Sequence, residues 1–140
     1  MADCVFCDIL AGKLPSSIVY QDEVCTAFMD IQPVNAGHLL VISNDHVAGL
    51  AGLDPDIGAH VFIVAQRIAQ ALRDSGLRCE GVNLFVADGA AAGQEVRHVH
   101  LHVIPRFRGD GFGFRFGPKY GQRPPRSELD ELAAKIRSSL

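Results

Sequence analysis

Three histidines at strict two-residue spacing stand among β-forming residues in the run His98-Val99-His100-Leu101-His102-Val103-Ile104. Successive side chains of a strand point to opposite faces, so the three imidazoles share one face while Val99, Leu101 and Val103 share the other. At roughly 3.3 Å rise per residue, neighbouring histidine Cα atoms lie about 6.6 Å apart and the outer pair about 13 Å apart. One zinc ion, with Zn–N bonds of about 2.0–2.1 Å, cannot easily take all three, so at least one imidazole does something else. An imidazole is a competent nucleophile when it is neutral, with one nitrogen unprotonated and the other held as a donor. Clustering helps, because neighbouring positive charge lowers each ring's proton affinity. The middle residue, His100, has an imidazole on each side and is the best placed. The bland reading is a set of solvated surface histidines, but three in register among only six in the chain speak against it.

Cys4 and Cys7 form a single Cys-x-x-Cys pair, which is half of a zinc site and leaves the other half to be found elsewhere. The N-terminal MADCVFCDIL has neither a basic start nor a long apolar run, so a signal peptide, a spanning helix and a membrane partner are not expected. Cytoplasmic residence is the default, and there the four cysteines read as thiols or metal ligands rather than as a disulfide framework. A net charge of −3 gives no general case for nucleic-acid attraction.

These residues need elements to position them. With 140 residues, 48% hydrophobic, the chain reads as one globular domain, 1–140, that can bury a core without staples. Strands are expected at Ile18–Tyr20, Val24–Met29, His38–Ser43, Val82–Ala87 and Val96–Ile104, the last closed by Pro105 and Gly109. Between them Asp54 can cap a helix with Pro55 at its first position, in which Ile57, Val61, Val64, Ile68 and Leu72 recur at helical steps until Gly76. A final helix is expected from a Ser127 cap, with Glu128 and Asp130 in its first turn. The order predicts an α+β fold: a five-stranded, mainly antiparallel sheet with one long central helix and a C-terminal helix. Residues 105–126 form a basic and aromatic arm, with Arg106, Arg108, Arg115, Lys119, Arg123 and Arg126 among Phe107, Phe112, Phe114, Phe116 and Tyr120. Such a mixture can track a nucleic-acid strand, but a surface arm packed near the pocket or a partner subunit is the favoured reading.

The triad run, together with Cys4-Val5-Phe6-Cys7-Asp8-Ile9, Phe28-Met29-Asp30-Ile31, Gly37-His38-Leu39-Leu40-Val41-Ile42 and Gly93-Gln94, resembles the histidine triad nucleotide-binding proteins, in the same order and over most of residues 4–108. The match is to bacterial-type members with the optional cysteine pair. The resemblance implies a nucleotide hydrolase or transferase working at the α-phosphate of a purine nucleotide or conjugate, most often a nucleoside phosphoramidate, through a nucleotidyl-His100 intermediate. It implies that His102 contacts the phosphate and that the backbone near His98 orients the His100 ring. Gln94 would contribute a phosphate-contacting amide, and Asp30 would bind the ribose hydroxyls. Phe6, Ile9, Phe28 and Ile31 would line the base pocket. Cys4, Cys7, His46 and His98 would hold a structural zinc, a pair of metal-free thiols being the alternative. A homodimer is implied, joined edge to edge with the long helix at the interface. Phe62 and Ile63, apolar outside that helix's core stripe, agree with a second buried surface.

Two positions depart from the pattern. Ala87 replaces a common asparagine, and Glu95 replaces a small hydroxyl residue near the phosphate. A carboxylate there is repulsive unless protonated, turned away or paired, with Arg97 or Arg106 as partners. Other readings keep the fold but take dinucleoside polyphosphates, or make the protein a nucleotide-sensing or interaction module with incidental slow catalysis. A metallohydrolase using a His-x-His pair lacks an obvious third ligand and general base.

Overall fold

The structure is a computed structural model that describes residues 3–140. A short helix α1 (Val5–Leu10) precedes strands β1 (Ile18–Gln21), β2 (Cys25–Met29) and β3 (Leu39–Ser43). A long helix α2 (Pro55–Asp74) then leads to β4 (Gly81–Phe85), β5 (His100–Arg106) and a last helix α3 (Arg126–Arg137). The strands form one sheet in the order β1-β2-β3-β5-β4, with every neighbouring pair antiparallel. This is the α+β arrangement expected from the sequence.

α2 starts as its sequence dictates. The Asp54 side chain accepts from the Asp56 amide, Pro55 occupies the first turn, and the helix closes before Gly76, whose φ is +83°. Its buried stripe, Val61, Val64, Ala65, Ile68 and Leu72, packs on Ala27, Leu39, Val41, Leu101 and Val103 from the sheet. Each buried aliphatic side chain of this kind contributes about 1.5–3 kcal/mol. Gly37 permits the close approach: at φ +100°, an added Cβ would lie 3.1 Å from Leu72 and Leu77 and 3.3 Å from Pro105. On the opposite face Phe6, Phe28, Leu40 and Ile42 form a second buried cluster, and this face carries the histidines.

The structure corrects four local expectations. α1 was not foreseen; six residues are too few for a periodic signal, and its N-cap is the Cys4 thiol, accepting from the Cys7 amide at 3.4 Å, rather than a hydroxyl or carboxylate. The fifth strand starts at His100, not Val96, because the His98 amide turns back onto the Val96 carbonyl (2.9 Å) and the Val99 amide bonds Val47 (2.7 Å). Pro105 does not end that strand. It pairs opposite Val82, and its imide nitrogen faces the β3 side beyond the last β3 pairing at Leu39↔Val103, so no ladder bond is lost. α3 begins at Arg126 after an N-cap Pro125 that makes no side-chain bond, instead of at Ser127.

Among residues 107–125, the stretch of the expected arm beyond β5, there is no helix or strand. Its start is latched by Arg106, whose Nε and Nη2 donate to the Asp110 carboxylate at 2.7 and 2.8 Å, while Asn35 Nδ2 donates to Asp110 and to the Pro105 carbonyl. Farther on, Phe116 and Tyr120 stack at 3.8 Å in solvent. Among the described residues no helix is long and apolar enough to cross a membrane.

Candidate functional site

The three histidines reach one side of the sheet as their alternation requires, but each meets different neighbours. His98 is fully buried. Its Nε2–H donates to the Ser43 carbonyl (2.7 Å), which leaves the Nδ1 lone pair facing Cys4 Sγ at 3.4 Å and Cys7 Sγ at 3.7 Å. His46 Nδ1 lies 3.3 Å from Cys7 Sγ. Burial, reinforced by the positive charge available on His46 and His100, holds the proton affinity of His98 below the usual histidine range. Burial also pushes the Cys7 thiol up, and Cys4 and Asp8 add to the effect.

The ligand atoms of Cys4, Cys7, His46 and His98 all lie within 4.8 Å of one another. A tetrahedron with Zn–S of about 2.3 Å and Zn–N of about 2.0–2.1 Å has edges of about 3.3–3.8 Å, so the separations here fit that ion. The Ser43 bond supplies the outer partner that fixes a ligating ring. The residues present fit zinc.

His100 is buried, and its Nδ1–H donates to the His98 carbonyl at 2.7 Å. That bond turns the ring and, in the neutral imidazole, places the free lone pair on Nε2, which has no hydrogen-bond partner among the described residues. Phe6 stands edge-on to both rings, 5.1 Å from His100 and 5.8 Å from His98 between centroids. His102 follows with its ring centroid 5.0 Å from that of His100. Burial first, then His100 and His38, lower its pKa to about 4 against the opposing pull of Asp30.

His38, which the sequence shows only as part of a strand block, joins this arrangement. It is buried just before β3, with Nε2 2.9 Å from His102 Nδ1 and 3.4 Å from Asp30 Oδ2. Its signal lay in alternation: His38, Leu40 and Ile42 share a face, and the latter two belong to the cluster on the histidine side. Asp30 divides its oxygens. Oδ1 accepts from the Gln32 amide (2.8 Å), and Oδ2 faces His38 and, at 4.0 Å, His102.

Phe6, Ile9 and Phe28 come together in the apolar cluster beside His100, whereas Ile31 stands 92% exposed outside it. The Gln94 amide is fully engaged by backbone: Oε1 accepts from Gly89, and Nε2 donates to the carbonyls of Ala48 and Val96 at 2.7 and 3.0 Å. Ala87 is buried. Glu95 is exposed and lines a hollow shared with Cys4, His46 and Arg97 on the cysteine side. Among the described residues it makes no ion pair, and Arg106, one of its expected partners, is committed to Asp110 and Asn83.

A family model for the HIT domain matches residues 11–109. An uncharacterised HIT-like protein of Borreliella burgdorferi is 47% identical over 120 residues, covering 85% of this chain and 86% of that protein. Adenylylsulfatase HINT3 of Arabidopsis thaliana is 37% identical over 105 residues, 74% of this chain and 52% of that one. The crystal structure of a zinc-bound histidine triad family protein from Mycobacterium smegmatis superposes with a TM-score of 0.77 at 40% identity, covering 99% of this chain and 98% of that one.

Proposed function

The chain belongs to the HIT family, and on that premise we propose that it hydrolyses purine nucleotide conjugates at the α-phosphate, nucleoside phosphoramidates foremost, with His100 as nucleophile. The observation that carries this reading is the His100 Nδ1–H bond to the His98 carbonyl, which aims an unprotonated Nε2 outward beside His102. In the first step Nε2 attacks phosphorus, and the bond to the leaving nitrogen breaks with its electron pair staying on that nitrogen, which takes a proton from solvent and departs as the neutral amine. In the second, water attacks the same phosphorus and the P–N bond to His100 breaks with its electron pair returning to Nε2. The hydroxyl of water stays on phosphorus, its proton returns to solvent, and His100 is regenerated unchanged.

Phe6, Ile9 and Phe28 form the apolar wall for a purine, and such a wall reads base edges weakly. Asp30 Oδ2 is the ribose-facing oxygen, since Oδ1 is held by the turn. Cys4, Cys7, His46 and His98 would hold zinc; bound there by four protein ligands, it supplies a cross-link rather than an activated water. Cytoplasmic residence and a homodimer belong to the same reading. Edge strand β4 carries Leu84 and Phe85, followed by Val86, at 37–40% exposure, and α2 leaves Phe62 and Ile63 about half exposed, at 49 and 51%.

The test is a purified-protein assay with a fluorogenic adenosine phosphoramidate, a dinucleoside polyphosphate and adenosine 5′-phosphosulfate in parallel. Phosphoramidate turnover should lead, His100→Ala should abolish it at a cost of several kcal/mol in the transition state, and nucleotide affinity should stay within about tenfold. A nucleotidyl adduct trapped on another residue overturns the assignment. Light scattering on the same sample should give twice the 15.1 kDa chain mass. The occupied Gln94 amide favours a second reading, nucleotide sensing with slow turnover, which uniform inactivity with tight nucleotide binding would select.

A further inference from the structure

A second hydrogen-bond chain crosses the open side of the site. The Val34 amide donates to His38 Nδ1 at 3.0 Å. A ring nitrogen that accepts carries no hydrogen, so a neutral His38 carries its hydrogen on Nε2. That nitrogen lies 2.9 Å from His102 Nδ1, where one of the two must donate, and only His38 can. His102 Nδ1 therefore accepts, and its own hydrogen sits on Nε2, the ring edge turned away from His38.

Resting on the hydrolase reading above, we propose that His38 is a positioning residue that fixes the His102 tautomer, holding Nε2–H as a hydrogen-bond donor to an acceptor atom on the phosphorus attacked by His100. Burial favours the neutral form of both rings, which the chain of single hydrogens requires. Asp30 Oδ2, 3.4 Å from His38 Nε2, helps hold that nitrogen as the donor. The same side chains, Asp30, His38 and His102, are close enough to suggest a cation site. The Val34 bond opposes it: a metal on His38 Nε2 would require a hydrogen on Nδ1, pointing at the Val34 N–H. The trio is a hydrogen-bond relay that sets a ring, with no proton transferred along it.

Ring nitrogens report their hydrogens directly in long-range ¹H–¹⁵N correlation spectra of the ¹⁵N-labelled, metal-loaded protein. Wild type should show Nε2 protonated and Nδ1 bare in both His38 and His102, and the His102 Nε2–H signal should move on titration with AMP. His38→Met, which keeps apolar bulk but no donor, should mix the His102 tautomers and lower kcat about tenfold with KM within about threefold. His38→Gln, whose amide can donate in place of Nε2, should restore the single tautomer and most of kcat. A His102 protonated on Nδ1 in wild type, an unmoved signal with bound AMP, or a His102 tautomer unchanged in His38→Met overturns the proposal. The wild-type spectra need neither variant to fold nor any substrate to react. Failure of the phosphoramidate assay with these ring assignments intact thus rejects the hydrolase reading alone.

Discussion

His98 and His102 lie four residues apart, both drawn out of water and both with lowered proton affinity, yet the two ends of the histidine run are built for opposite tasks. At the His98 end a backbone carbonyl takes the Nε2 hydrogen, and the lone pair on Nδ1 turns toward two thiols and another imidazole. At the His102 end a neighbouring ring approaches Nδ1, and the side facing the site is open. Between them His100 has its Nδ1 hydrogen taken by a carbonyl of the run itself. On the proposed reading the same residue type would serve as ligand, nucleophile and donor according to which nitrogen its partner occupies. Burial lowers the proton affinity of the two outer rings; hydrogen bonding makes all three different.

The comparison breaks most visibly at the cysteine end. Protein with Cys4→Ser and Cys7→Ser should lose about one zinc per chain by elemental analysis, and its melting temperature should fall by about 5 °C or more, because metal binding in such sites is linked to folding. Metal-free wild type with unchanged melting would favour the thiol-only alternative.

The opposite end should show in the pH dependence of stability. His102 is held at about 4, below the ordinary 6.5, so between these values the unfolded chain binds the proton and the folded chain does not. Stability must then decline as the pH falls from about 6.5 toward 4, by on the order of 3 kcal/mol from this residue if its full shift is expressed. His38 is shifted in the same direction and adds to the slope. Denaturant melts of wild type and His102→Asn across this window should show a shallower slope in the variant; parallel slopes would mean that His102 is not held neutral.

The smallest effect is expected at Glu95, on the hollow beside the cysteine end. An exposed carboxylate is screened, and charge pairs of this kind are worth about 0.2–1 kcal/mol. Glu95→Ser should therefore raise kcat/KM for an anionic phosphoramidate by only about two- to fivefold. Faster hydrolysis by wild type would reverse the sign and point instead to an acid role, with loss of one limb of the pH–rate profile in the variant.

Much of this was legible because period-two alternation is a geometric property of extended chain. It placed the histidines on one face and Leu101 and Val103 against α2, whose own stripe followed from Ile57 to Leu72. What alternation cannot carry is the direction of a ring or an amide. The turn of the His98 amide onto Val96 removes that residue from the strand without moving it off the face. Gln94 spends its amide on Gly89, Ala48 and Val96, partners set by the loop's path rather than by spacing from the triad. Ile31, placed in the base pocket by the resemblance, follows β2 on a turn that leaves it in solvent, an exposure no local pattern announced. The pairing of His38 with His102 spans 64 positions, beyond any local pattern.

α1 is six residues long, and a helix of that length is marginal in water without tertiary support. It nevertheless carries Phe6, set edge-on to His98, His100 and Phe28. Its support comes from the packing of Phe6 and from the Cys4 and Cys7 contacts with His98 and His46. Weakening those contacts would let Phe6 spend part of its time out of place. A ligand that needs the ring would then bind only the fraction of molecules holding it, and its apparent dissociation constant would rise by the inverse of that fraction with every remaining contact unchanged.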